Sequence, residues 1–524
     1  MTTATARTPS APREVPYLIT LGALVLVVVA VTFARLPHGL GFSQFAFNEP
    51  GANLTAQYLT DRGLRPVLDL GYPYGALTLL AGRVWFGVFG LTPRALAAAW
   101  IVCALLQAWG LARVARAMRL GPAGVTLLVA AAPLALRVFM PNLTHGIEAA
   151  LMSHALAEQA RSRYGRALVL ATACCFTKPS MGYPYGLILL IFATWDHRRA
   201  LLGRGYWAGV ILPPALAALA LAGWVVWAYG AEALFRTILP LSSMKTYKHF
   251  NYGFFGAGRD FWRPPGATLR YYLGTAAGFW IAGSVVLLAA AAVALVRMAV
   301  RRHWGKVHEI LVTCALVHVV FVATMFGNAW SWFYYFYFLV IGLATATHLG
   351  RFWRVLACAL ALMAVVGLWS DARGMYGQWR ESSPQAELGG LWAPADVAEE
   401  WSKVLELTRG RSRVALNRAG AAPLLFPGFS PPAGAYFDFG YPSAEELRRQ
   451  SDLIAAAETV VVPKDGTNPN FFTTWPEFQA HMGDFSLLWE GRHFWVYFRK
   501  PEGQAGPPSA PATGRDPASS GPIE

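Results

Sequence analysis

Three carboxylates, Glu49, Asp61 and Asp69, fall in the stretch that runs from Phe47-Asn48-Glu49-Pro50-Gly51 to Asp69-Leu70-Gly71-Tyr72-Pro73-Tyr74-Gly75. A carboxylate held beside an apolar region can take the proton from a hydroxyl group. The ordinary alternative is that a segment between membrane spans is polar because it meets water. Asp61, next to Arg62 at the end of a helical pattern, reads as a solvated pair or a cap. Glu49 and Asp69 are therefore the candidate bases. Lys178, in Phe176-Thr177-Lys178-Pro179, closes an apolar run. An ammonium in that position either snorkels to the surface or pairs with an anion such as phosphate. Pro179 and Gly182 are expected to break the helix beside it, which favours a site.

A second basic group lies between Ala231 and Arg270. Lys245, Lys248, Arg259, Arg263 and Arg270 alternate there with Tyr247, Phe250, Tyr252, Phe254, Phe255, Phe261 and Trp262. Arginine grips phosphate bidentately, and aromatic rings stack on sugar faces or settle at the headgroup level. The loop reads either as a phosphate and sugar contact, with Arg259 and Arg263 as its phosphate ligands, or as a plain interfacial belt. His145 and Glu148 sit together near a helix start and read as an internally satisfied polar pair rather than a metal site. His318, inside an apolar run, reads as a core histidine. Asn53 and Asn142 open Asn-X-Thr sequons close to apolar segments.

These side chains belong to a chain of 524 residues that is 55% hydrophobic and 14% charged. Its mean hydropathy is +0.38. That composition is too apolar for a soluble protein of this size and points to a polytopic α-helical membrane protein. The net charge of +15 does not imply nucleic acid, because the arginines form short clusters between apolar runs, as orientation signals do, and make no basic face. The five cysteines lie within apolar runs without ligand spacing, so neither disulfide nor zinc is expected.

The run from Val15 to Phe33 is long enough to cross the membrane, and it lacks the short core and cleavage site of a signal peptide, so it is expected to remain as the first span. Further spans are expected over Ala95–Ala112, Gly121–Met140, Leu143–Ala160, Ala167–Lys178, Pro184–Trp195, Trp207–Tyr229, Tyr272–Val296, Ile310–Phe326, Phe333–Thr347 and Val355–Trp369, about eleven in all. Leu77–Phe89 is assigned to the membrane surface. With that assignment the basic clusters at Arg113–Arg119, Arg161–Arg166, His197–Arg204, Arg297–Lys306 and Arg351–Arg354 all face the cytoplasm with residues 1–14. The first outer loop (37–94), the second large outer loop (230–271) and everything after residue 370 then lie outside. Short, polar-interrupted spans near Cys174 and Cys175 suggest either a thinned bilayer or a cavity open to one side.

From residue 371 to 501 turns and charges become frequent. Helical patterns at Ala395–Thr408 and Ser443–Ala457, with β-rich pieces at Thr459–Val462 and His493–Phe498, predict a small extracytoplasmic α/β domain. Residues 502–524, rich in Pro, Ala, Gly and Ser, are expected to be disordered. Neither an internal repeat nor a nucleotide-binding fingerprint is present.

Four stretches together resemble the GT-C glycosyltransferases. Phe47-Asn48-Glu49 ahead of a helix is similar to the Asp-Glu motif in the protein mannosyltransferase and aminoarabinose transferase branches. Arg65-Pro66-Val67-Leu68-Asp69 leading to Tyr72-Pro73-Tyr74-Gly75 resembles the loop ending of bacterial members. Phe176-Thr177-Lys178-Pro179 looks like the family's Thr-Lys signature, and Trp332-Phe333-Tyr334-Tyr335 opens a late span as in the family.

The resemblance implies a membrane enzyme of the cell inner membrane. It would move a sugar, with inversion, from a polyprenyl-phosphate donor to a lipid, glycan or protein acceptor. It implies a catalytic base at Glu49 or Asp69, donor phosphate ligands at Lys178, Arg259 and Arg263, and substrate contacts at Asn48, Tyr72, Tyr74 and Tyr334. Phosphate leaves as an anion, so one carboxylate suffices, whereas a glycosidase needs two. Cations or a bound divalent metal must stabilise the growing phosphate charge. Asn48 stands where the family usually has Asp, so either Glu49 or Asp69 serves or the activity is lost. The rival expectations are a transporter or flippase for a lipid-linked substrate, which would show repeats and deep charges, an inactive glycan-binding relative, and an O-antigen-type ligase relying on a late outer loop.

Overall fold

The structure is a computed structural model and describes residues 14–136, 142–198, 201, 203–239, 276–301, 305–325, 336–415, 421–435, 444–464, 481 and 483–501. Arg259, Arg263 and Tyr334 lie outside the described residues, as do most of the 230–271 loop and residues 502–524.

Apolar runs form helices because a buried or lipid-facing backbone must satisfy its own hydrogen bonds. In chain order these are α1 (Glu14–Ala34), α2 (Leu36–Gly39), α3 (Phe42–Phe47), α4 (Glu49–Asp61), α5 (Leu77–Phe89), α6 (Pro93–Met118), α7 (Pro122–Ala135), α8 (Leu143–Ala160), α9 (Tyr164–Thr177) and α10 (Pro179–Asp196). Next come α11 (Arg204–Tyr206), a π-helical turn over Trp207–Ile211 ahead of Pro213 and Pro214, α12 (Leu212–Tyr229) and α13 (Ala231–Ile238). The last four of the bundle are α14 (Ala276–Arg301), α15 (Lys306–Met325), α16 (Phe336–Ala346) and α17 (Arg351–Glu381).

Five helices among the described residues are long and apolar enough to cross a membrane: Pro16–Ala34, Pro93–Met118, Arg204–Tyr229, Ala276–Val300 and Arg351–Glu381. Their outward faces carry bare apolar side chains, among them Leu26, Phe33, Leu219, Trp227, Val300 and Leu362, as surfaces in contact with lipid do. α16 is buried at every position and forms the centre of the bundle, in keeping with a sequence that is apolar all round. α5 has 13 residues, about 20 Å of rise against roughly 30 Å of hydrocarbon, so its helical part alone falls short of a full crossing, as do those of α7, α9 and α16. Its Val84, Val88 and Phe89 are exposed while Arg83 reaches Asp61 at 3.1 Å. Asp61 is thus paired with Arg83 and with the Gln57 amide, while Arg62 lies over the Tyr58 ring.

Two expectations need correction. The expected last span, Val355–Trp369, is part of a helix that continues to Glu381, so the C-terminal domain begins at Ser382, beyond the expected boundary at 371. The polar residues Asp371, Arg373 and Arg380 ride on that helix, whose backbone bonds are satisfied within it, and water can solvate the exposed Arg373 and Arg380 side chains. The second concerns deep charges, expected only of a transporter: buried charged groups occur at both ends of the bundle. Glu158 and Glu309 are buried at the far end of α8 and the start of α15. Each has cationic partners: Arg113 for Glu158, and Lys306 at 2.6 Å for Glu309.

The C-terminal domain has a β1–β2 ribbon (Ser382–Gln385 and Leu391–Pro394), α18 (Ala395–Leu407), β3 (Arg413–Ala415), α19 (Ala422–Leu425), α20 (Ala444–Ala456), β4 (Thr459–Pro463), β5 (Phe485–Glu490) and β6 (Phe494–Arg499). The sheet order is β3-β4-β6-β5, with β3 and β4 parallel and the other pairs antiparallel. This domain shares its core with the first loop. Trp401, fully buried, touches Phe426, Phe429 and Phe494 of its own domain and Phe42 and Phe47 of α3, all with ring centroids within 6.0 Å. The Trp392 N–H donates to the Leu40 carbonyl at 2.8 Å. The first loop and the C-terminal domain therefore lie on the same side of the bundle.

Candidate functional site

Glu49 opens α4, where the helix presents the positive end of its peptide dipoles to a carboxylate. Asn48 is the N-cap, and its Oδ1 accepts the Glu49 N–H at 3.1 Å, so its side chain is used to start the helix. The Glu49 side chain is buried, and two donors converge on one of its oxygens. Tyr74 OH donates to Oε1 at 2.6 Å, and the Asn142 amide donates to the same oxygen at 2.5 Å. No described residue donates to Oε2.

Tyr74 is held there by the loop that follows α4. Gly75 donates its N–H to the Thr177 carbonyl at 2.8 Å, and a Cβ on Gly75 would come within 2.0 Å of the Phe176 carbonyl oxygen. Only glycine lets the loop lie this close to the end of α9. Tyr72 packs edge-on to Tyr74 at 5.7 Å and sits with its hydroxyl beside Thr78 and Thr144. Burial pushes its phenol well above the usual range, so it stays neutral and serves to support Tyr74.

Asn142 caps α8 through its Oδ1, which accepts the His145 N–H at 3.3 Å, while its amide nitrogen serves Glu49. One turn on, His145 Nδ1 lies 3.2 Å from Glu148 Oε2 and 3.1 Å from Lys178 Nζ, and Lys178 Nζ is 3.5 Å from Glu148 Oε2. Nδ1 can accept from the ammonium or donate to the carboxylate, but not both at once. Tyr337 of α16 donates to Glu148 Oε1 at 3.1 Å, and the Tyr74 ring meets the His145 ring edge-on at 5.8 Å. Lys178 stands in an extended conformation between α9 and α10, and Pro179 begins the new helix. The break expected from Pro179 is present. Gly182 lies inside α10, where it packs on Cys175 and breaks nothing.

Glu49, Asn142, His145, Glu148 and Lys178 are each less than 9% exposed. Two acids and one ammonium removed from water need compensation, and they receive it from each other, from two tyrosine hydroxyls and from one amide. The first loop, the α9–α10 break and the start of α8 thus meet in one polar cluster at one end of the bundle.

Asp69 is not in this cluster. It forms a forked pair with Arg65, with contacts of 2.8 Å and 2.9 Å, on the outer rim of the loop. The Arg65 hydrogen bond holds its carboxyl below the usual carboxylate range. That geometry ties up both oxygens, so the structure separates the two candidate bases. Asn142 and Tyr337 were not singled out as site residues from the sequence, and His145 and Glu148 were read as a self-contained pair. The signal for three of them was Asn142-Leu143-Thr144-His145-Gly146-Ile147-Glu148, a polar face at i, i+3 and i+6 opening an apolar helix. Among the described residues no group of three or more His, Cys, Asp and Glu side chains is placed to hold a metal ion. Next to His145 and Glu148 a metal would face the Lys178 ammonium, so these residues do not fit one and no step is routed through a metal.

A second network joins the other end of the bundle. Glu309 accepts from Gln159, Tyr164 and Lys306, and Lys306 also reaches Asp196 at 3.1 Å. Glu148 and Gln159, the members of the two groups on α8, are about 16 Å apart along the helix at the helical rise, so the two polar groups are distinct.

No family model matches the chain, and no curated protein and no solved structure matches it significantly.

Proposed function

We propose that this chain is an integral membrane glycosyltransferase of the GT-C type. It moves a sugar from a polyprenyl-phosphate-linked donor to a lipid, glycan or protein acceptor on the outer face of a cytoplasmic membrane, with inversion. The observation that carries this reading is the state of Glu49. One oxygen is fixed by Tyr74 and Asn142, the other takes no donor from any described residue, and the Lys178 ammonium lies one side chain away across His145.

In the reaction, Glu49 Oε2 takes the proton of the acceptor hydroxyl as the hydroxyl oxygen attacks the anomeric carbon. The bond from that carbon to the phosphate oxygen breaks, and its electron pair leaves with the phosphate. Lys178 steadies the growing negative charge. Glu148, itself held by the Tyr337 hydroxyl, pairs with Lys178 and keeps the ammonium in place.

Topology supports the outer face. α1, α6–α10, the α11–α12 helix and α14–α17 make eleven bundle helices among the described residues. Five of them are long and apolar enough to cross by length and composition; with all eleven taken as crossings, the N-terminus and the C-terminal domain lie on opposite sides. The first loop shares the C-terminal domain's side, and the basic clusters fall on the N-terminal side, as orientation signals on the cytoplasmic face do.

A transporter of a lipid-linked substrate is the second reading. It is favoured by the Lys306, Asp196 and Glu309 network at the opposite end, since buried charge at both ends is a transport feature. The deciding experiment measures sugar transfer from a radiolabelled polyprenyl-phosphate sugar in membranes carrying the wild type, Glu49→Gln or Lys178→Ala. Transfer by the wild type and its loss in both variants supports the enzyme. Translocation of the lipid without transfer selects the transporter, and equal transfer by all three proteins overturns the assigned site.

A further inference from the structure

The C-terminal domain grips both segments that present Glu49. On the first, Gly51 in the opening turn of α4 lies so close to Ala421 that an added Cβ would approach the Ala421 methyl to 2.8 Å. On the second, the Gly71 N–H donates to the fully buried Glu446 carboxylate at 2.5 Å. Arg449, one turn further along α20, donates to the Asp69 carbonyl at 2.6 Å and to the Ala433 carbonyl at 3.1 Å. Between Asp69 and Gly75 the chain has only a few residues, and one of them is Tyr74, the donor to Glu49. Ala435, next to the Ala433 anchor, is buried in the same apolar cluster as Ala52, Leu70 and Tyr72.

A buried carboxylate is costly unless hydrogen-bonded, and Glu446 accepts from a backbone amide of a loop that lies 375 positions away in the chain. We infer that the C-terminal domain positions the catalytic base: Glu446 and Arg449 of α20 are positioning residues that hold the Asp69–Gly75 loop so that Tyr74 orients Glu49. This rests on the glycosyltransferase reading for its chemistry, but the mechanical coupling does not. The domain then acts from the outer side as a brace for the site.

The test uses the full chain in detergent or membranes. Transfer is followed for wild type, Glu446→Ala, Glu446→Gln and Arg449→Met, together with backbone hydrogen exchange over residues 69–75. Displacing a reacting group by about 1 Å can lower a rate by up to roughly 100-fold. Glu446→Ala is therefore expected to lower kcat by about tenfold or more with little change in KM for the donor, and to speed exchange across the loop. Glu446→Gln keeps an oxygen acceptor for the Gly71 N–H and is expected to restore most of kcat. Should the alanine variant not fold, Arg449→Met at its partly exposed position reports the same coupling. Unchanged kcat and unchanged loop exchange in Arg449→Met and Glu446→Ala overturn the inference. A fall in folded protein with normal kcat per folded molecule overturns it too, since that is a purely structural role. If wild type transfers no sugar the proposed function falls, and the exchange measurement still decides whether the domain braces the loop.

Discussion

Gly75 and Thr177 meet backbone to backbone at 2.8 Å. Through this contact the loop that ends the first outer segment is laid against the break where Lys178 leaves α9. Tyr74 is one residue before the contact and Lys178 one residue after it, so a single hydrogen bond brings the neighbours of an acid and of an ammonium into the same cluster. The acid and the cation come from opposite edges of this join, and His145 fills the space between them.

Replacing Glu49 by Gln preserves size and the acceptor oxygen for Tyr74 and Asn142 but removes the proton-accepting charge. General-base contributions are on the order of 10²–10⁴ in rate. Transfer is expected to fall by that factor with little change in donor binding, as read from kcat and KM in membranes.

Asp69→Asn is expected to leave transfer within a few fold of wild type, because the Asp69 carboxylate faces Arg65 and not the cluster. The same substitution tests a pH effect. Arg65 holds the Asp69 carboxyl below its usual range, so its contribution to stability is present above the ordinary carboxylate value and is lost as pH falls through the lower folded one. A smaller loss of stability on acidification in Asp69→Asn than in wild type is the expected outcome of acid unfolding measurements.

Gly75→Ala places a methyl group against the Phe176 carbonyl oxygen. Overpacking of this kind costs about 1–3 kcal/mol, and here relief requires the loop to lift away from α9. The expected result is a lower thermal midpoint together with a loss of transfer larger than that of Gly87→Ala. Gly87, in α5, has open space around its own Cβ direction and lies outside the cluster.

Trp401→Ala removes the ring on which α3 and the C-terminal sheet meet. A buried tryptophan truncated to alanine loses about 3–5 kcal/mol. Limited proteolysis is expected to release the C-terminal domain faster in this variant, with the bundle helices remaining intact.

Asn142→Ala deletes one of the two donors to Glu49 Oε1 and the cap of α8 at once. Asn142→Asp keeps the cap acceptor but sets a second carboxylate against Glu49. Both variants are expected to lose most transfer, and only Asn142→Ala to lower the helical stability of α8, by about 1 kcal/mol.

Local chemistry was enough to place several parts of this protein. The apolar runs mark helices at Leu143–Ala160 and Trp207–Tyr229 because backbone polarity must be satisfied within the segment, whatever the neighbours are. The Leu77–Phe89 run was legible as a helix, its surface assignment resting on the placement of the basic clusters, and the Val460–Val462 and Phe494–Phe498 runs were legible as strands from their β-branched and aromatic content. Glu49 and Lys178 stood out because an acid and a cation beside apolar runs are costly to place without a partner. Which partners they have was a matter of tertiary structure. Nothing local to Tyr74, Asn142 or Tyr337 says that each donates to a carboxylate on another element, since a tyrosine or asparagine at a helix start has many uses. The separation of Asp69 from Glu49, both candidate bases by sequence with Glu49 the first choice, follows from one folded loop that turns the Asp69 carboxylate onto Arg65. The sharing of Trp401 between α3 and the C-terminal sheet, and the grip of Glu446 on Gly71, join residues hundreds of positions apart. Contacts of that kind depend on how preformed elements pack, and side-chain types along the chain carry no record of it.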